Sequence, residues 1–241
     1  MSSIKLIAMD MDGTLFNDDR TITHKTKTAL INAQSKGIVL VLASARPEPG
    51  MTPQARLLGM DKCNGHIIAY NGGKIINTQT NEVLSHKVMS VDLAKELIRH
   101  LEQYDVNPIV DDGEYIYTTD ANSYQMQYES NSNNLKIKIV DNIADSVDFS
   151  PIKILIAGLP EIMEKEKDAI AKPFSDRLSF VLSAPFYLEA TINGIDKASA
   201  LTVVCEELGI NRNEVIAFGD AENDIPMLNF AGHGVAMGNA R

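Results

Sequence analysis

Asp10-Met11-Asp12-Gly13-Thr14-Leu15 sets two carboxylates one residue apart, directly after the apolar run at residues 4–9. In open α/β sheets, ligands bind in the crevice beyond the carboxyl ends of the strands. With Gly13 giving a tight turn, both carboxylates can serve one site. One can attack a phosphorus atom and the other can handle a proton, while a backbone carbonyl between them helps hold a cation. The further acidic ligands of a calcium loop are missing, since Leu15-Phe16 comes next. A second acidic cluster, Gly219-Asp220-Ala221-Glu222-Asn223-Asp224, follows another short apolar run. Asp220 and Asp224 are four residues apart at an expected helix start, so both can face one crevice. A few carboxylates with open positions for water and phosphate suit magnesium.

Two smaller signals lie between these clusters. Ser44, in Ala43-Ser44-Ala45-Arg46-Pro47, offers a hydroxyl and nearby N–H groups to a phosphate oxygen. Lys197 falls in the first turn of an expected helix, where a cation opposes the positive end of the macrodipole. A cation so placed points to an anion nearby. Alone, each pattern could be an acidic turn, a polar turn or a solvated lysine. Together they supply a nucleophile, an acid/base carboxylate, phosphate donors, a cation and metal ligands, which is the kit phosphoryl transfer needs.

The elements that must position these groups alternate strand and helix at both ends of the chain. Strands are expected at residues 4–9, 38–43, 66–70, 74–77, 215–218 and 234–237. Helices are expected from the Thr23 cap to about Lys36, after Pro53, from the Asp196 cap to Leu208, and near residues 225–230. Asn71-Gly72-Gly73 reads as a hairpin turn. This alternation predicts an α/β fold: a doubly wound, Rossmann-like parallel sheet with helices on both faces. Residues 84–190 have another texture, with a helix after Ser90, strands around the turn Asp111-Asp112-Gly113, a polar loop at residues 131–134, a strand at 152–157, a charged helix at 160–172 and strands at 178–182 and 186–191. The expected division is a discontinuous domain, residues 1–83 and 191–241, with an inserted α+β unit at 84–190.

At 241 residues, with 44% hydrophobic and 22% charged residues, the chain can bury a substantial core. Its net charge of -10 argues against nucleic acid or an anionic membrane surface as partner. Cys63 and Cys205 provide neither a disulfide framework nor metal-ligand spacing. No apolar stretch approaches a bilayer span, and the first residues lack the pattern of a signal peptide, so the expected location is the cytoplasm. The five histidines share no cluster and are expected to pack or face solvent.

These motifs, in this order, resemble the haloacid dehalogenase superfamily, and within it the Cof-type sugar-phosphate phosphatases. Asp10 to Leu15 matches the first motif, Ser44 the second, Lys197 the third, and Gly219-Asp220 with Asn223-Asp224 the fourth. The long gap between Ser44 and Lys197 is where that branch carries an α+β cap domain. The resemblance implies a magnesium-dependent phosphomonoester hydrolase acting on a sugar phosphate or related small metabolite, as a monomer or homodimer. Asp10 would be the nucleophile, and Asp12 the acid and base, kept protonated by burial beside other carboxylates. Ser44, Ala45, Arg46, Asn71, Lys197 and Asn223 would line the substrate side. Asp10, the Asp12 carbonyl, Asp220 and Asp224 would serve the metal. Two departures stand out. Ala45 occupies the usual glycine position of the second motif, and the sequence stops at Arg241 where such relatives continue with a helix and a strand. The rival readings are a phosphomutase and a phosphometabolite-binding protein with little turnover. Release of inorganic phosphate separates hydrolysis from both.

Overall fold

The computed structural model describes residues 3–240. The chain begins with strand β1 (Leu6–Met9), whose side chains are almost all buried, and turns sharply over residues 10–15. Thr23 then caps helix α1 (His24–Ser35), its hydroxyl accepting from the Thr26 N–H. Strand β2 (Val39–Ala43) leads into the short helix α2 (Thr52–Leu57). Leu40, Leu42 and their neighbours are fully buried. That is the environment a continuous apolar strand requires, and each such leucine contributes about 1.5–3 kcal/mol by leaving water. Strand β3 (His66–Ala69) runs parallel to β2, and β4 (Lys74–Asn77) returns antiparallel to it. Strand β5 (Val83–His86) pairs with β4 as the edge of the same sheet.

The chain then builds a second compact unit, Lys87–Gly194. Its helices are α3 (Val91–Leu101), α4 (Met126–Asn133), α5 (Ile143–Ser146) and α6 (Pro160–Ala171). Its strands are β6 (Asn107–Asp111), β7 (Tyr115–Thr118), β8 (Lys136–Ile139), β9 (Lys153–Ala157), β10 (Leu178–Ala184) and β11 (Tyr187–Ile192). They form one sheet in the order β10-β11-β9-β6-β7-β8, antiparallel except for β7 with β8. Ala94, Leu97, Ile98 and Leu101 make the buried stripe of α3, at the spacing an amphipathic helix demands.

The remaining elements rejoin the first unit: α7 (Lys197–Leu208), β12 (Val215–Gly219), α8 (Ile225–Phe230) and β13 (His233–Ala236). The first sheet thus has seven strands in the order β13-β12-β1-β2-β3-β4-β5. Its first five are mutually parallel, so the carboxyl ends of β1, β2, β3 and β12 lie along one edge. The fold is α/β with a Rossmann-like sheet, as the alternation of elements predicts.

One local expectation needs correcting. Residues 131–133 are the end of α4 rather than a surface loop, with Asn134 as its left-handed cap, and Asn133 is buried with its amide on Glu129. That helix has no apolar periodicity to betray it. Strand β8 reads Lys-Ile-Lys-Ile, too short and half-exposed to stand out. The compact unit that holds the first sheet runs to His86 and resumes at Ile195. Among the described residues no helix is long and apolar enough to cross a membrane. Cys63 and Cys205 are both free thiols.

Candidate active site

Four strand ends deliver the chemistry. Asp10 follows β1, with its N–H donating to the Phe218 carbonyl of β12, which locks the nucleophile loop to the neighbouring strand. The turn closes through Leu15 N–H to the Asp10 carbonyl and Phe16 N–H to the Met11 carbonyl. Gly13 sits at φ +85°, and a Cβ there would collide with the Asp220 carboxylate. Glycine is therefore required both for the backbone twist and for the approach of the second acidic loop. Thr14 Oγ1 donates to Asp220 Oδ1 at 2.8 Å, tying the two loops side chain to side chain.

Lys197 opens α7 behind the Asp196 cap, whose carboxylate accepts from Ser199 N–H. The turn at Gly72 packs against the Asp196 carbonyl, where a Cβ would collide. The Lys197 ammonium is fully buried and reaches Asp10 Oδ1 and Asp224 Oδ1, each at 2.6 Å. The cation that looked misplaced at a helix start is thus held by two carboxylates. Asp224 is also fully buried, and its Oδ2 accepts from the N–H groups of Asp220 and Ala221 at 2.9 and 3.0 Å. Both Asp224 oxygens are committed to shaping its surroundings. Burial, assisted by the Asp224 charge and opposed by Lys197, pushes Asp10 up to about 6.

The Ser44 loop after β2 is stitched to β3. Ser44 N–H donates to the Ile68 carbonyl, Asn71 N–H to the Ser44 carbonyl, and Tyr70 N–H to the Arg46 carbonyl. Ser44 Oγ accepts from Arg46 N–H at 3.2 Å, leaving its hydroxyl hydrogen as a donor. Ala45 lies in the middle of this loop. Asn71, at φ +56°, accepts at Oδ1 from the Asn223 amide at 3.0 Å, which links the β3–β4 turn to the Asp220 loop.

Asp12 departs from expectation. Its side chain is 47% exposed rather than buried among carboxylates, and it forms a two-pronged pair with Arg46. Arg46 Nε meets Oδ2 at 2.6 Å and the second prong meets Oδ1 at 2.8 Å. Residue types alone gave no sign of the pair, because Arg46 is 34 positions away and joins Asp12 only once β1 and β2 are neighbours. Asn239 was also missed. It donates its amide to the Gly13 carbonyl at 2.9 Å, a partner 226 positions away that no local pattern signals.

A divalent cation fits this donor set. Carboxylate oxygens of Asp10, Asp220 and Asp224 lie within 4.8 Å of one another, and hard oxygen donors of this kind suit magnesium. Asp224 already accepts from Lys197 and two N–H groups, whereas Asp10 accepts from Lys197 and Asp220 from Thr14. In the inserted unit, Asp111 and Asp112 are occupied with the β6–β7 turn. Asp111 accepts from Gly113 N–H, and Asp112 accepts from the Glu114 and Tyr115 N–H groups and the Tyr117 hydroxyl.

Known proteins resemble this chain over nearly its whole length. The sequence model of the haloacid dehalogenase-like hydrolase family matches residues 7–241. Bacillus subtilis YxeH, named provisionally as a phosphatase, is 32% identical over 98% of this chain and 88% of its own length. Bacillus subtilis YcsE, named as a 5-amino-6-(5-phospho-D-ribitylamino)uracil phosphatase, is 30% identical over 99% of this chain and 85% of its own. A crystal structure of a haloacid dehalogenase-like hydrolase from Bacteroides thetaiotaomicron superposes with a TM-score of 0.94 at 35% identity, covering 99% of this chain and 90% of that one.

Proposed function

Because the chain belongs to the haloacid dehalogenase-like hydrolase family, in its Cof-type branch, and is a phosphatase, we propose that it hydrolyses small phosphomonoesters, sugar phosphates or similar metabolites, through a phosphorylated Asp10. The observation that carries this reading is the buried Lys197 ammonium shared by Asp10 and Asp224, with Asp220 alongside. A carboxylate held this way is oriented for attack and partly neutralised, and it lies beside a cation that can also receive phosphate oxygens.

In this mechanism an Asp10 oxygen attacks phosphorus as the ester P–O bond breaks, and Asp12 gives its proton to the departing oxygen. Asp12, then a carboxylate, takes a proton from the water that attacks the acyl-phosphate. Inorganic phosphate leaves and the Asp10 carboxylate is restored. Ser44, Lys197 and Asn223 would grip the phosphoryl oxygens, with Ala45, Arg46 and Asn71 shaping the same wall. Magnesium, held by Asp10, the Asp12 carbonyl and Asp220 with Asp224 in support, would neutralise charge on the phosphoryl group. The unit Lys87–Gly194 stands between the second and third motifs, where the Cof-type branch carries its α+β insertion. YcsE acts, by its name, on a phosphorylated ribityl chain, which is the kind of small polyol ester expected here.

The test is a magnesium-dependent screen of phosphorylated metabolites with wild type and Asp10→Asn. Wild type should release inorganic phosphate from several of them, and the variant from none. Wild-type rates in the variant would rule out the aspartyl-phosphate route.

A further inference from the structure

The structure assigns a positioning role to Asn239: its amide holds the Gly13 carbonyl and thereby sets the peptide that presents the divalent-cation site. This inference rests on the proposed magnesium-dependent chemistry. The carbonyl oxygen can only accept, so the amide NH2 of Asn239 must face it, at 2.9 Å across 226 positions of sequence. The same chain segment is fixed to the second acidic loop, because Met237 N–H donates to the Gly219 carbonyl at 2.9 Å. It is folded back on itself as well, with Ala240 N–H on the Met237 carbonyl at 3.0 Å. Residues 237–240 therefore bridge the two loops that carry Asp10 and Asp220.

The bridge adds a tie at the glycine of a turn that otherwise closes through Leu15 N–H on the Asp10 carbonyl and Phe16 N–H on the Met11 carbonyl. Asp12 lies at φ -78°, ψ 117° and Gly13 at φ 85°, ψ -7°, so the peptides here do not share one helical direction. The Gly13 carbonyl belongs to the peptide next to the one carrying the Asp12 carbonyl, the oxygen proposed for the cation. Fixing one plane restricts rotation of the other about the Gly13 Cα. Glycine is the residue least able to hold such a plane by itself. Thr14 Oγ1 on Asp220 Oδ1 secures the far side of the same turn. Without Asn239 the turn keeps its own backbone bonds and the Thr14–Asp220 tie but loses the bond on the Gly13 carbonyl, so the cation site should loosen while the fold persists.

The experiment measures magnesium binding directly, by calorimetry and by the shift in thermal midpoint on titration, for wild type, Asn239→Ala and Asn239→Leu. Leucine has nearly the shape of asparagine and no donor. Both variants should bind magnesium about five- to tenfold more weakly, as expected for loss of one hydrogen bond. Without magnesium they should unfold within a few degrees of wild type, and at saturating magnesium kcat should approach the wild-type value. Unchanged affinity in both variants overturns the inference, and so does wild-type affinity in Asn239→Leu with loss only in Asn239→Ala, since packing would then be the cause. If Asn239→Ala does not fold, Asn239→Leu gives the deciding reading. Wild type that binds no magnesium sinks the underlying reading too, and this is distinguishable because it fails before any substitution is made.

Discussion

Two carboxylate–cation pairs sit in the same unit and differ in nearly every physical respect. Lys197 with Asp10 and Asp224 is sealed from water, with relative exposures of 0%, 9% and 0%. Asp12 with Arg46 lies near the surface, 47% and 15% exposed. A buried cation flanked by two carboxylates cannot be disturbed cheaply, because removing one partner strands charge in a medium that does not solvate it. A solvent-exposed pair is worth about 0–1 kcal/mol and can open and reform. The division matches the two tasks proposed. The nucleophile must be held still. The proton carrier must let go of Arg46 at one oxygen to carry a proton, then be free to take one from water. The chain builds the first pair into the start of a helix and leaves the second at the mouth of two loops.

The largest expected effect comes from breaking the buried pair. Lys197→Met keeps the volume and removes the charge, and should cost roughly 3–5 kcal/mol at pH 7.5 in denaturant unfolding, with turnover lost. The cost should shrink toward pH 5 as one stranded carboxylate takes up a proton. A stability within 1 kcal/mol of wild type across that range would erase the distinction between the pairs.

A second effect sharpens the comparison through pH. Asp10 is raised to about 6 against an ordinary 3.8, because its buried charged form is disfavoured. The protonated form is then the one that folding prefers. Its contribution to stability is fully present below the ordinary value and is lost as pH rises through about 6. Magnesium, which favours the ionised form, should therefore raise the thermal midpoint more at pH 7.5 than at pH 5, and binding near pH 6 should release a proton. Equal midpoint shifts at both pH values would remove Asp10 from the cation site.

The smallest stability effect belongs to the exposed pair. Arg46→Ala should change unfolding free energy by less than about 1 kcal/mol while slowing turnover, since Asp12 loses its orientation. A loss as large as that of Lys197→Met would mean that the two pairs are equally structural.

How much of this was legible beforehand follows from where each residue sits. Asp10, Ser44, Lys197 and Asp220 each stand at a strand end or helix start, and those boundaries are written in local apolar runs and caps, such as Thr23 before α1 and Asp196 before α7. An anion near Lys197 was visible as an electrostatic misfit, whereas its burial was not. The Asp12–Arg46 pair was not, because it depends on β1 and β2 lying side by side and on side-chain directions that no local pattern encodes. Asn239 was hidden for the same reason: a polar residue in a terminal turn looks like solvent-facing punctuation until its partner at Gly13 is in place. In the inserted unit, α4 escaped notice because its residues are polar around most of its circumference: Met126 is its buried apolar residue, and the Tyr187 hydroxyl of β11 donates to its Glu129.

The central claim is a covalent bond between phosphorus and one carboxylate. Wild-type protein mixed with a good small ester and magnesium, quenched in acid within the first turnover and digested, should yield the Asp10 peptide carrying one phosphoryl group, absent in Asp10→Asn. Label found on any other residue, or phosphate release with no labelled protein at any quench time while Asp10→Asn still turns over, would contradict it.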